Sequence, residues 1–327
     1  MSWASLRDPR TLLIAAALAL AVLALVVPRV LLNRDAYDVV AVIDITTSMN
    51  TRDATSKGET TSRLAAAKAS LRELLAKLPC GSRLGLGIFT ERSSFLLFNP
   101  VEVCDNFSPV DEAIAMLDWR MAWEGDSYIS KGLYSAIDIA KSLKSDLIFF
   151  TDGHEMPPLP FSGIPAFESK PGDVGGLIVG VGSLKPTPLL KYDEAGREIG
   201  TYAAQEVPQE NRSGPPPPDA ASRPGYHPKW APFGNAVVNT KQHMAFVREP
   251  HLKQLAVMTG LSYGWLGASS DLTGPLAAAA HPRTLQVATD VRFVPGSLAI
   301  ALLAILYGLA ALAVFTAPTQ RPSPSSA

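Results

Sequence analysis

Histidine, cysteine and unbalanced charge are all scarce in this chain, and each scarcity removes a class of function. Lys and Arg number 29 against 30 Asp and Glu, a formal net charge of -1. No basic surface therefore points to nucleic acid. The five histidines, His154, His227, His243, His251 and His281, are scattered. His154-Glu155 has no second histidine at the spacing a helical zinc-protease motif needs. No G-x-x-x-x-G-K segment occurs, so no Walker-type loop is available to cradle phosphates. These absences argue against an enzyme.

What is abundant is apolar sequence in two charge-free stretches, Thr11 to Val27 and Phe293 to Pro318. About 20 apolar residues cross a bilayer as a helix. The second stretch clears that length. The first reaches it only with help from Pro28 to Leu32, Arg29 snorkelling to the surface. The expected membrane spans are thus 11–32 and 293–317, with short tails at 1–10 and 318–327. The first stretch also has the charged start (Arg7, Arg10) of a signal peptide. Pro28-Arg-Val-Leu-Leu-Asn-Arg34 follows it where a small-x-small cleavage site would stand, which favours an uncleaved anchor. Two spans place both tails on one side and residues 33–292 on the other. The positive-inside rule does not choose the side, because arginines flank both.

Between the spans, strands and helices alternate. Asp38 to Asp44, Asp146 to Thr151 and Gly176 to Val181 are near-continuous apolar runs, as parallel strands buried on both faces should be. Thr60 to Leu78 and Ile129 to Leu143 carry helical apolar stripes. Arg83 to Thr90 and Ser94 to Val103 read as a hairpin about Glu91-Arg-Ser-Ser94. Ser108-Pro-Val-Asp111 reads as a capping box opening a helix to about Leu117. Thr187 to Tyr202 reads as a second hairpin around Asp193 to Gly196. Pro208 to Pro232 is proline-rich and reads as a long, partly disordered excursion. A helix at His251 to Thr259, a strand at Leu261 to Leu266 and a short helix at Asp271 to Ala280 close the domain. The expected fold class is α/β, a doubly wound, mainly parallel sheet with one antiparallel edge hairpin. It spans 36–280 with an insertion at 183–250, and 281–292 forms a juxtamembrane segment. Ligands on such sheets sit beyond the carboxyl ends of the strands.

The only cysteines, Cys80 and Cys104, bracket the first hairpin. Pairing Thr90 with Phe95 makes opposed residues sum to about 185, and the two cysteines sum to about 184, within disulfide reach. Disulfides persist outside the cytosol. The expectation is a bridged pair in a domain facing the periplasm or exterior; the alternative is two free thiols in the cytosol.

Three pieces of sequence fall at the carboxyl edge of this sheet. Asp44-Ile-Thr46-Thr-Ser48 ends the first strand, with residues 44, 46 and 48 on one side of an extended turn. Gly125-Asp126-Ser127 precedes the Ile129 helix. Thr151-Asp152-Gly153 ends a later strand. Carboxylates and hydroxyls make a hard, all-oxygen set suited to Mg²⁺ or Mn²⁺. Taken singly, an Asp ending a strand is commonly a turn former. In this order, over 38–182 and 250–280, the pieces resemble the von Willebrand factor A domain and its metal-ion-dependent adhesion site, D-x-S-x-S, then Thr, then Asp. Thr46 stands where that family has Ser, and Ser127 where it has Thr; both keep a hydroxyl. The resemblance implies a divalent-metal site at Asp44, Thr46, Ser48, Ser127 and Asp152, with Mg²⁺ first and Mn²⁺ or Ca²⁺ as alternatives. It also implies a protein partner that offers an acidic residue to the metal, or else a vestigial site. Trp119, Trp123, His154 and Glu155 are the candidate partner-binding rim, aromatic residues being common in interface hot spots. Trp119 and Trp123 could equally pack under the loop. Gly125-Asp-Ser127 also superficially resembles the start of a GDS-type hydrolase, but the required downstream Asp-x-x-His is lacking.

A narrower resemblance is to bacterial membrane-anchored proteins encoded beside MoxR-type AAA+ ATPases. Ser62-Arg-Leu-Ala-Ala-Ala-Lys68 and Arg83-Leu-Gly-Leu-Gly87 are similar to that group. Residues 149–202, with Phe150-Thr-Asp-Gly-His-Glu-Met-Pro-Pro158, Gly176 to Gly182 and Leu189 to Asp193, look like the L-type accessory proteins of methanol dehydrogenase maturation. That resemblance implies an inner-membrane protein with a periplasmic domain, other von Willebrand A membrane proteins and an AAA+ ATPase as partners, and help in inserting the metal of a periplasmic enzyme.

Overall fold

The computed structural model describes residues 8–26, 29–56, 58–123, 125–235, 238–267 and 271–316. They fall into a unit spanning Asp35–Arg283 and a second unit formed by the segments before and after it.

The larger unit runs β1 (Asp38–Asp44), α1 (Arg63–Lys77), β2 (Arg83–Thr90), β3 (Ser93–Glu102), α2 (Phe107–Met116), α3 (Ile129–Ser142), β4 (Asp146–Thr151), β5 (Gly176–Gly180), β6 (Leu190–Tyr192), β7 (Glu198–Thr201), α4 (Glu249–Thr259), β8 (Ser262–Trp265) and α5 (Thr273–Ala279). Six strands form one sheet in the order β8-β5-β4-β1-β2-β3. Every neighbouring pair is parallel except β2 with β3. The mixed α/β fold with a mainly parallel sheet and an antiparallel edge hairpin is the one the apolar runs implied.

The unbroken apolarity of β1 follows from its place. Val39, Ala41 and Ile43 join one core cluster with Leu64, Leu71, Leu74 and Leu75 of α1. Val40 and Val42 join the opposite cluster with Leu133 and Ile137 of α3 and Leu252 and Leu255 of α4. Alternate side chains thus meet helices on opposite faces. Each buried leucine contributes about 1.5–3 kcal/mol relative to exposure. Ser62 caps α1, its hydroxyl accepting from the Ala65 amide at 3.2 Å. Pro79 follows the last turn, where proline disfavours helical geometry in the residue before it.

Several local expectations are corrected. The capping box at Ser108 does not form. Helix α2 starts at Phe107 with Asn106 as the cap position. Asp111, the acid the box would use, instead receives Nε and Nη2 of Arg72 at 2.6 and 2.7 Å. The hairpin turn is tighter than read: Thr90 pairs with Ser93, and Ile88 with Phe95. Opposed residues there sum to 183, but two irregularities near Leu86 raise the sum to 185 at Arg83 and Glu102. This shift brings Cys80 and Cys104, beyond the two strand ends, nearly opposite each other. Cys80 and Cys104 are bonded, with Cα atoms 5.3 Å apart.

The insertion is better ordered than its prolines suggested. The hairpin β6–β7 forms around Asp193 to Gly196. Thr187–Pro188 pairs with Met244–Ala245. Farther along, Arg223 Nη1 meets Glu210 at 3.0 Å, and Gln209 Oε1 accepts from the amides of Thr240 and Gln242 at 3.1 and 3.2 Å. These side chains supply the hydrogen bonds that proline-rich backbone cannot make with itself.

In the second unit, the 18-residue helix Pro9–Val26 is the one described helix long and apolar enough to cross a membrane. It stops short of the expected residue 32, because Arg29–Ala36 is a strand paired with Arg283–Asp290. That second strand lies within the expected juxtamembrane segment, 281–292. The 24-residue helix Phe293–Thr316 follows. Residues 27 and 28 of the expected first span, residue 317 of the second, residues 1–7 of the N-terminal tail and the whole C-terminal tail, 318–327, lie outside the described residues.

Candidate metal centre

The carboxyl ends of β1, β2 and β4 meet at one buried point. Asp44 ends β1 and has no solvent exposure. Its Oδ1 accepts from the amide and hydroxyl of Thr46 at 2.9 and 2.7 Å. Its Oδ2 accepts from the hydroxyl of Thr151, the last residue of β4, at 2.7 Å. Thr151 Oγ1 in turn accepts from the Gly153 amide at 3.0 Å. Gly153 has φ +76, and a Cβ there would lie 2.9 Å from Leu252. Only glycine turns the chain sharply here without displacing α4. Asp152, also fully buried, accepts the His154 amide on Oδ1 at 2.9 Å.

Ser48 lies in the 3₁₀ turn Thr47–Asn50 that follows β1. Ser127 is clamped by backbone bonds. Its amide donates to Met156 O at 2.6 Å and its carbonyl accepts from Met156 N at 2.8 Å. The loop beyond Asp152 is thereby tied to the approach to α3. The hydroxyls of Ser48 and Ser127 are buried without a hydrogen-bond partner, as is that of Thr90 at the end of β2. Native proteins leave few buried hydroxyls unpaired, and an unpaired one costs about 1–3 kcal/mol. Orphaned oxygens beside two buried carboxylates are what a hard divalent cation would satisfy. The residues present fit such an ion: Asp44, Thr46, Ser48, Ser127 and Asp152 would hold it. Burial first, and then the charge of Asp152, push the Asp44 carboxyl up to about 7, against the bonds from Thr151 and Thr46. A bound cation would relieve both causes. Among the described residues the one trio of His, Cys, Asp or Glu groups close enough to share an ion is Cys80, Glu102 and Cys104. Both sulfurs there are already bonded to each other.

The expected rim divides. Trp123 is 56% exposed and stands edge-on to Phe95, ring centres 4.8 Å apart. Trp119 packs on Tyr192 of the insertion hairpin at 4.7 Å. His154 and Glu155 are buried and cannot meet a partner as a rim would. His154 Nε2 lies 2.9 Å from Gln242 Oε1, and burial lowers the pKa of the ring. Glu155 turns inward under α3. Its carboxylate accepts the amides of Ile129 and Ser130 at 3.0 Å each, the Ser130 hydroxyl at 2.7 Å, and lies 3.1 Å from His251 Nε2. It satisfies first-turn amides of α3 and opposes the positive end of the helix dipole.

Arg63 escaped the sequence reading. It is completely buried, its Nε and Nη2 donating to the two oxygens of Asp53 at 2.8 and 2.5 Å, and its Nη1 to Asp152 Oδ2. Burial opposes its charge, but Asp53 and then Asp152 outweigh that and keep its pKa above the usual arginine value. One sign was present: Arg63 opens a helix whose first turn holds no acid, where the helix dipole disfavours a cation.

The sheet is mainly parallel with an antiparallel edge hairpin, and two aspartates and three hydroxyl residues stand at its carboxyl edge. Residues 39–154 match the family model of the von Willebrand factor type A domain. Among solved structures the chain is similar to an aerotolerance-related membrane protein from Bacteroides fragilis, at 12% identity and TM-score 0.41, covering 84% of this chain and 100% of that one. It is also similar to the conserved hypothetical protein BatB from Bacteroides thetaiotaomicron, at 14% identity and TM-score 0.42, covering 85% and 100%. No curated protein matches.

Proposed function

We propose that this is a non-catalytic, membrane-anchored protein whose von Willebrand A-type domain binds a partner protein through a divalent ion held by Asp44, Thr46, Ser48, Ser127 and Asp152. The observation that carries this reading is the pair of buried, unpartnered hydroxyls, Ser48 and Ser127, beside two buried aspartates. Mg²⁺ is the first candidate, and a partner Asp or Glu would complete its coordination. Trp123, four residues before Ser127 in the chain, supplies an exposed aromatic anchor. The apolar helix Pro9–Val26 supports the membrane anchor, and the second apolar helix is proposed as a second span. The Cys80–Cys104 bridge supports a domain on the periplasmic side of a bacterial inner membrane. The resemblance over residues 149–202 supports an accessory role, with a MoxR-type AAA+ ATPase and other von Willebrand A membrane proteins, in maturation or metal insertion of a periplasmic enzyme such as methanol dehydrogenase.

One observation favours a second reading. Arg63 already engages Asp152 Oδ2, so the domain could serve as a scaffold whose adhesion site takes no metal. Calorimetric titration of Mg²⁺ and Mn²⁺ into the detergent-solubilised protein separates the two. The metal reading expects saturable binding that Asp44→Ala abolishes, and partner capture from solubilised membranes that a chelator reverses. No binding by the native protein at millimolar ion would leave the scaffold.

A further inference from the structure

The buried ion-pair chain Asp53–Arg63–Asp152 has a feature that an ordinary structural salt bridge lacks. One of its ends is a carboxylate of the candidate metal centre. The arginine side chain has no solvent exposure, and Asp53 is only 7% exposed. Asp53 takes the guanidinium with both oxygens, a fixed two-point geometry. That leaves Nη1 aimed at Asp152 Oδ2. The backbone is cut away to admit the group. Gly182 has φ +119, and a Cβ there would stand 2.3 Å from Arg63 Nε. The first turn of α1 gains nothing from this charge, since a cation at a helix N-terminus is unfavourable. The arginine is placed for Asp152.

We propose that Arg63 is a built-in counter-cation of the metal centre, a positioning residue that fixes Asp152 and whose charge holds the divalent-ion affinity of the site down. This deepens the metal reading above and rests on it. An ion ligated by Asp152 would lie within a few ångströms of the guanidinium. Like charges that close, in a site shielded from water, weaken binding by about tenfold or more. Asp53 neutralises part of that charge from the far side. The two ends of the chain therefore act in opposite senses: removing Arg63 strips a repulsion, and neutralising Asp53 exposes one.

The test is calorimetric titration of Mg²⁺ and Mn²⁺ into the detergent-solubilised full chain, native and in the variants Arg63→Met, Arg63→Lys and Asp53→Asn. Arg63→Met is expected to bind at least about tenfold tighter than native, and Asp53→Asn about tenfold weaker. Arg63→Lys keeps the charge and should not tighten. A purely structural role moves Arg63→Met and Asp53→Asn the same way, so equal or parallel changes overturn the proposal. If Arg63→Met does not fold, Asp53→Asn decides alone: affinity equal to native overturns it. If native protein and all variants fail to bind either ion, the metal reading falls and this one with it. If native protein binds and the variants bind alike, only this one falls.

Discussion

At the scale of single residues, Asp44 carries a testable consequence of burial. Without a cation its carboxyl is raised from 3.8 to about 7, chiefly by burial and then by Asp152. A raised folded-state pKa means that the folded form holds a proton the unfolded chain has released. The associated stability is complete below about pH 3.8 and is lost as pH rises through about 7. The chelator-treated protein should therefore melt at a lower temperature at pH 8 than at pH 5, and Mg²⁺ should restore the pH 8 value. Asp44→Asn should remove this component. A native slope no steeper than that of Asp44→Asn would contradict the assignment. The residues of this site were unevenly legible in the sequence. The strand end marked Asp44, but the expected extended turn with 44, 46 and 48 on one side is replaced from Thr47 by the 3₁₀ turn Thr47–Asn50, so alternation does not fix the side of Ser48. Arg63 could not be placed, because its partners stand 10 and 89 residues away. His154 and Glu155 looked like rim residues because they adjoin Asp152. The turn at Gly153 and the pairing of Met156 with Ser127 fold them inward instead.

At the scale of elements, strands buried on both faces announced themselves by unbroken apolarity, and amphipathic helices by their stripe. Pairing was less legible. The β2–β3 register shifts near Leu86, where Gly85, Gly87 and Pro100 stand, residues that mark a bulge without fixing its size. Elements held by partners distant in sequence were also missed. Asp111 serves Arg72 rather than its own helix, and the strands Arg29–Ala36 and Arg283–Asp290 have each other. The disulfide closes the β2–β3 hairpin over a sequence separation of 24. A loop of that length should contribute about 3 kcal/mol by restricting the unfolded chain. The double variant Cys80→Ser, Cys104→Ser should show that loss in the urea midpoint of the solubilised protein at pH 7. An unchanged midpoint would mean that the hairpin needs no bridge.

At the scale of the whole molecule, the sheet has two edges with different uses. Its carboxyl edge gathers Asp44, Ser127 and Asp152. Its opposite edge gathers the places where the domain's chain begins and ends. Asp38, the first residue of β1, receives Nη2 and Nε of Arg283 at 2.9 and 3.0 Å. The same Nη2 reaches Gly81 O at 3.1 Å. In this respect the Asp35–Arg283 unit is a closed circuit whose opening happens to fall at that clasp. The opening should be movable. A short flexible link from Arg283 back to Asp35, with new ends cut at the exposed Ser213–Gly214 tip of the insertion, interrupts no strand of the central sheet. Such a circular permutant, freed of both apolar helices, should fold in water and show the far-UV spectrum of a mixed α/β domain. If it collapses or aggregates instead, the domain depends on its tethers for more than location.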